Sequence, residues 1–410
     1  MKICAVIAEF NPFHNGHKYL INKIKEDFGD VAVISLMSGN FVQRGEPAIT
    51  DKWKRCEMAL SEGVDLIFEL PFVFACNNAR DFARGSIGIL NAFGCVDHLV
   101  FGTEYGDLEK LENIANKIFI ETEEFKEELD KQLNKGISYS GAYINAVRNI
   151  TGEDEKFFAR SNNILALEYL KEMRRCKSSM KAYSVARKSA GYNDINEREG
   201  MAGASQLRKL VDESFDWKSE ISKYMPKQAY MQLVDSEIFT KEDFFRLIRY
   251  KLIGYENRKY EASKFYGIAE GLENRFIDAA ARSDSIADIL ERVGTKRYSE
   301  ARIKRVLISV LTDFEKQDYF DIKESKVFYT RVLGFTEKGQ TVLSIIKKKN
   351  KDNIDIMTNP NKYEFKNKMA EKQFSYDVLA QTIYWSVKNR RICDVSDLVK
   401  SPIIKRKVLP

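Results

Sequence analysis

The sequence predicts an α/β protein built on a parallel sheet covered on both faces, followed by a helical region and a small basic C-terminal region. Three observations carry this. Strand-length apolar runs alternate with helical patterns through the first third; residues from about 216 to 320 show only the repeat of amphipathic helices; the last ninety residues mix short strands and helices. In order, the elements are a strand from Ile3 to Phe10, a helix from Asn15 to Phe28, a strand from Val31 to Met37 and a helix from Asp51 to Glu62. A strand from Val64 to Leu70, a helix from Ala79 to Phe93 and a strand from Val96 to Phe101 follow. The strands are nearly continuous apolar runs, as strands buried on both faces require. From about Asp107 the pattern turns mainly helical, with Asn162 to Met173 and Ala204 to Asp212 clearly amphipathic. A boundary near Phe215 closes a first domain, residues 1–215. In the second, 216–320, the helix Ala301 to Leu311 places Ile303, Val306, Leu307, Val310 and Leu311 on one core stripe. The third, 321–410, is organised around a turn at Gly334 and the Asn359-Pro360 break.

Apolar residues make up 44% of the 410 and charged residues 31%, the balance of a globular chain rather than a disordered one. No apolar run reaches the roughly 18 residues a membrane-spanning helix needs. The opening Met1 to Ile7 is followed at once by Glu9 and Asn11 and carries no signal-peptide cleavage site, so a cytoplasmic location is expected. Six cysteines without CxxC spacing read as reduced thiols, and with three histidines no structural metal site is expected. The net charge of +6 gathers late in the chain, in Arg174 to Lys188, Lys296 to Arg305, Lys347 to Lys351 and Lys388 to Lys407.

The informative stretch is Ile7-Ala8-Glu9-Phe10-Asn11-Pro12-Phe13-His14-Asn15-Gly16-His17-Lys18-Tyr19-Leu20. Pro12 stops the first strand, and the loop feeds a helix starting near Asn15. A helix N-terminus presents unpaired N–H groups and a positive dipole end, which suits phosphate. Gly16 allows close backbone approach, and His14 and His17 lie within one turn and can face the same ligand. A lone HxGH is a weak signal, but two of only three histidines fall in this tetrad, directly after the first strand. His98, inside an apolar strand, reads instead as a core or edge histidine. Later segments can complete the pocket: Gly102 at a strand end, Gln43, Arg44 and Glu46 in the loop after Ser38-Gly39-Asn40, Arg187 and Lys188 before Ala190-Gly191-Tyr192, and the helix start Ala204-Ser205-Gln206-Leu207-Arg208.

The runs Ala8 to His17, Ser38 to Ile49, Phe101 to Glu104, Asn162 to Tyr169 and Thr295 to Arg305 together resemble the bacterial tRNA(Met) cytidine acetate ligase family over nearly the whole chain. The resemblance implies a Rossmann-like sheet of the HxGH nucleotidyltransferase type. It also implies an enzyme that uses ATP to make acetyl-adenylate from acetate and then acetylates N4 of the wobble cytidine of elongator tRNA(Met). By matching motif, ATP is expected on Ile7 to Leu20 with Gly102, Asn162 and Arg187, and phosphate on Ser205 and Arg208. Ser161 stands where the pattern has proline, and Lys188-Ser189 replaces an apolar residue and glycine. His14 and His17 are the expected catalytic pair, donating to the phosphates, with Mg²⁺ held through phosphates and water. Lys296, Arg297, Arg302, Lys304 and Arg305 are expected along the tRNA, with Tyr298 as a stacking surface and Lys388 to Lys407 extending the track. The residues alone leave open a nucleotidyltransferase acting on a small phosphate ester, or a non-catalytic RNA-binding protein with a nucleotide pocket.

Overall fold

The computed structural model describes residues 1–104, 106–120, 122–158, 160–188, 200–350 and 354–406. The predicted alternation opens the chain: β1 (Lys2–Ala8), α1 (Asn15–Phe28), β2 (Val31–Ser38), a small hairpin of β3 (Phe41–Val42) and β4 (Glu46–Pro47), then α2 (Lys52–Ser61) and β5 (Leu66–Leu70). The helix Ala79–Ala92 and β6 (His98–Thr103) follow. β1 lies between β2 and β6 and is parallel to both. The chain winds one way through β2 and β5 and the other way through β6 and β7 (Lys181–Ala186). The β1–β6 border is therefore the switch point, beyond whose carboxyl ends such sheets bind ligands.

Alternation along the strands separates two cores. Ile3 and Ala5 of β1 with Ala32, Ile34 and Leu36 of β2 face one apolar cluster, while Cys4 and Val6 with Val33 and Met37 face the other. The helix Ala79–Ala92 covers the first face through Phe82, Ile87 and Leu90; α1 covers the second through Ile21 and Ile24.

The sheet is mostly but not wholly parallel. β8 (Tyr329–Thr336) pairs antiparallel with β5, and β9 (Asp355–Met357) and β10 (Ile403–Lys405) run parallel to β8. Segments from 321–410 thus extend the main sheet and cover the edge that β5 would otherwise expose. Gly334 lies inside β8 rather than at a turn. A Cβ there would stand 2.8 Å from both Cys56 Sγ and Leu60 Cδ1, so packing requires the glycine. β7 is an edge strand inside a basic run, and its mixed polarity hid it from the apolar pattern. Among the described residues of 216–320, the structure is helices and 3₁₀ turns with isolated bridges at Phe265–Glu315 and Thr295–Tyr298. The stripe from Ile303 to Leu311 is buried in the helix Glu300–Leu311. No helix among the described residues is long and apolar enough to cross a membrane. Cys4, Cys56 and Cys76 are buried free thiols.

Candidate active site

The loop after β1 delivers both histidines to one place. Phe10, at φ 45°, turns the chain, and Phe10 and Phe13 anchor the loop in the core. His14 is the N-cap of α1, where its Nδ1 accepts from the Gly16 N–H at 3.0 Å. His17 Nδ1 accepts from the His14 N–H at 3.2 Å, which completes a reciprocal capping box. The rings stack with centroids 3.8 Å apart. Gly16 is needed here because a Cβ would stand 2.8 Å from His14 Cε1.

Burial, then the neighbouring His17, Arg187 and Arg208, holds the His14 pKa well below its ordinary value. His17 is partly exposed where it lines the cavity but is walled by Phe10 and Phe13; burial and Arg187 lower its pKa to about 3. Both rings are therefore neutral near pH 7. Since each Nδ1 accepts a backbone hydrogen bond, each ring carries its proton on Nε2. Neither Nε2 has a protein partner among the described residues, and both rings line a cavity of about 640 Å³.

The stretch Ile7 to Leu20 lines this cavity except for Pro12, Phe13, Asn15 and Lys18. Those four hold the loop and helix in place instead: Pro12 and Phe13 are buried, the Asn15 amide donates to the carbonyls of Gly200 and Lys223, and Lys18 pairs with Glu62 at 2.9 Å. Gly102, Asn162, Arg187, Ser205 and Arg208 all line the cavity. A Cβ on Gly102 would press on the Arg187 stem at 3.3 Å. Arg208 reaches back from the helix Ala204–Glu213 to donate to the Asn11 carbonyl at 2.8 Å, with Glu46 3.6 Å away. Glu104 was not foreseen as a site residue. Its side chain accepts from Asn162 at 2.5 Å and lies 4.0 Å from Arg187 Nε, so it orients both; its place one residue beyond the end of β6 was the available signal. The Ala190-Gly191-Tyr192 segment and Ser189 lie outside the described residues, as do Lys351 and Lys407 of the basic runs.

The basic run at 296–305 divides. Lys296 and Arg297 are exposed, and Arg297 pairs with Glu270 at 2.9 Å. Arg302 lies 4.7 Å over the Tyr298 ring, and Tyr298 is itself buried, so this ring does not offer the open stacking face expected of it. Lys304 is held between Glu46 and Glu300, each at 2.5 Å. Arg305 turns to the cavity, with Nη1 donating to the Gln43 carbonyl at 3.3 Å. His98 opens β6, an interior strand of the sheet, packs on Phe28 and does not line the cavity.

A family model described as HIGH Nucleotidyl Transferase matches residues 1–396. The tRNA(Met) cytidine acetate ligase of Caldicellulosiruptor saccharolyticus is 39% identical over 391 residues, 94% of each chain. The chain belongs to the tRNA(Met) cytidine acetate ligase family. Another member of that family, from Thermoanaerobacter sp., is 36% identical over 99% of this chain and 100% of its own. Among solved structures, Thermotoga maritima TmcAL bound with alpha-thio ATP is 31% identical and superposes with a TM-score of 0.88, covering 99% of this chain and 100% of that one. The apo form of the same protein gives 0.90. The family's architecture thus extends over the helical part and the C-terminal strands as well as the tetrad.

Proposed function

We propose that the chain activates acetate with ATP as acetyl-adenylate, releasing pyrophosphate, and passes the acetyl group to N4 of the wobble cytidine of elongator tRNA(Met), giving N4-acetylcytidine. The observation that carries the reading is the pair of neutral imidazoles whose Nδ1 atoms are tied to backbone, leaving two Nε2–H donors beside the N-terminus of α1. Names borne by relatives over the whole chain support the acid and the RNA. A cytoplasmic location fits a tRNA substrate.

In the first step an acetate oxygen attacks the α-phosphorus, and the bond to the bridging oxygen breaks, its electron pair leaving with pyrophosphate. Charge then grows on the leaving group, where Nε2–H of His14 and His17, the amides of α1, Arg187 and Arg208 can receive it without reorganisation. The cavity-lining residues of the stretch Ile7 to Leu20, with Gly102, Asn162 and Arg187, hold the nucleotide, and Ser205 stands at the phosphate end. No cluster of three acidic, histidine or cysteine ligands exists among the described residues, so Mg²⁺ would be carried by phosphates and water; bound so, it would neutralise phosphate charge. In the second step the cytidine amine attacks the acetyl carbon, the bond to AMP breaks, and the amine gives up a proton. We assign catalysis to residues 1–215, RNA docking to 216–320 with exposed Lys296 and Arg297, and an accessory role to 321–410.

The test is incubation with acetate, ATP and unmodified tRNA, followed by nucleoside analysis for N4-acetylcytidine. Without RNA, labelled pyrophosphate should exchange into ATP only when acetate is present. Nucleotide transfer to a phosphate ester with no acetate requirement would sink the reading; RNA binding without turnover would sink it equally.

A further inference from the structure

We infer that Arg305 is the carboxylate receptor of the cavity, its guanidinium holding the acetate that is to be activated; this rests on the adenylation reading above. The roll of the helix Glu300–Leu311 is set by its buried stripe, and that roll turns Ala301 and Arg305, four residues apart, to the cavity. The β3–β4 hairpin pins the position. Gly45, at φ +75°, lies so close that a Cβ would stand 2.3 Å from the Arg305 backbone nitrogen. From there the Arg305 guanidinium makes one hydrogen bond among the described residues, Nη1 to the Gln43 carbonyl at 3.3 Å.

What Arg305 lacks decides the matter. No carboxylate among the described residues comes within 4.0 Å of its guanidinium, whereas the adjacent Lys304 has two. The groups acting on it are the Cys76 thiol, the Tyr266 hydroxyl and two further cations, Arg302 and Arg44. A guanidinium held in a cavity wall stays charged and is stabilised when an anion arrives. Its planar fork matches the two oxygens of a carboxylate, and Phe82 and Tyr169 of the same cavity offer apolar surface for a methyl group. The triphosphate has other partners, since His14, His17, Arg187 and Arg208 stand on other elements.

The experiment is acetate-dependent pyrophosphate exchange without RNA, at varied acetate and then varied ATP, on the wild type, Arg305→Met and Arg305→Lys. Loss of a charge-assisted pair should raise the acetate KM of Arg305→Met about 10–100-fold while the ATP KM stays near wild type, with Arg305→Lys between. An unchanged acetate KM in Arg305→Met overturns the inference, and does so decisively if the tRNA KM of the full reaction rises instead, which would make Arg305 an RNA-phosphate contact. A rise confined to the ATP KM overturns it in favour of the triphosphate. If Arg305→Met fails to fold, the acetate KM of Arg305→Lys decides in the same way. A wild type with no acetate-dependent exchange fells the adenylation reading itself, and this inference with it.

Discussion

His14 and Lys52 are both buried polar side chains at the start of a helix, and their surroundings differ in kind. At α1 the cap is an imidazole and the nearby charges are cations. At α2 the cap is Asp51, which accepts from the N–H groups of Trp53 and Lys54, and Lys52 lies 2.6 Å from Glu69 and 2.5 Å from Asp397. Arg331 joins this cluster, donating to the carbonyls of Asp397 and Lys400 and lying over the Trp53 ring. Burial and nearby Glu69 push the Asp377 carboxyl well above its ordinary range, while Glu69 and Asp397 lie against Lys52 and Asp397 also against Arg331. Burial alone would lower the Lys52 pKa, but Asp397 and Glu69 outweigh it and raise it. One junction supplies its own anions and closes; the other leaves donors facing a cavity. The first holds the C-terminal segment to the sheet, and the second waits for a ligand.

The comparison breaks first at the closed junction. Lys52→Met removes one partner from a buried ionic cluster and should cost about 3–5 kcal/mol in denaturant unfolding. A variant with the wild-type midpoint would show that the ionic cluster does not hold the fold. His17→Ala should lower acetate-dependent exchange by about 10²–10³, the usual loss for one preorganised donor. Its stability should fall by only about 1 kcal/mol, the worth of a cap; comparable losses of stability and activity would erase the distinction between the two junctions. Gly16→Ala tests the geometry more gently. A methyl 2.8 Å from His14 Cε1 must displace the ring, and about a tenfold fall in exchange rate is expected.

The contrast also shows in pH dependence. Burial keeps His14 and His17 neutral in the folded protein, His17 down to about 3, whereas both titrate near 6.5 when unfolded. The unfolded chain therefore takes up more protons as pH falls below about 6.5, and stability is lost progressively from there toward about pH 3. Thermal midpoints between pH 7.5 and 5 should decline, and a His14→Gln, His17→Gln double variant should decline less. Identical slopes would mean that the rings are not held neutral.

The local signals served the first third well because they need no partners. Apolar runs, Pro12 after the first strand and the helix start at Asn15 specify β1 and α1 to within two residues. His14 and His17 were legible because they fall where a strand hands over to a helix. β7 and β8 were not. The half-exposed Lys181–Ala186 resembles a solvated segment until β6 pairs with it, and Gly334 resembles a turn until Cys56 and Leu60 press against it.

Lys304 and Arg305 mark the limit most plainly. They are neighbours in one basic run with the same local propensity, and chain order gives no reason to separate them. Sequence by itself determined that strands alternate with helices, that the tetrad opens the first helix and that the later chain is basic, because each follows from chemistry within a few residues. Only the tertiary structure decided which cation is neutralised by Glu46 and which is left facing the cavity, because that depends on how a helix distant in sequence rolls against the β3–β4 hairpin.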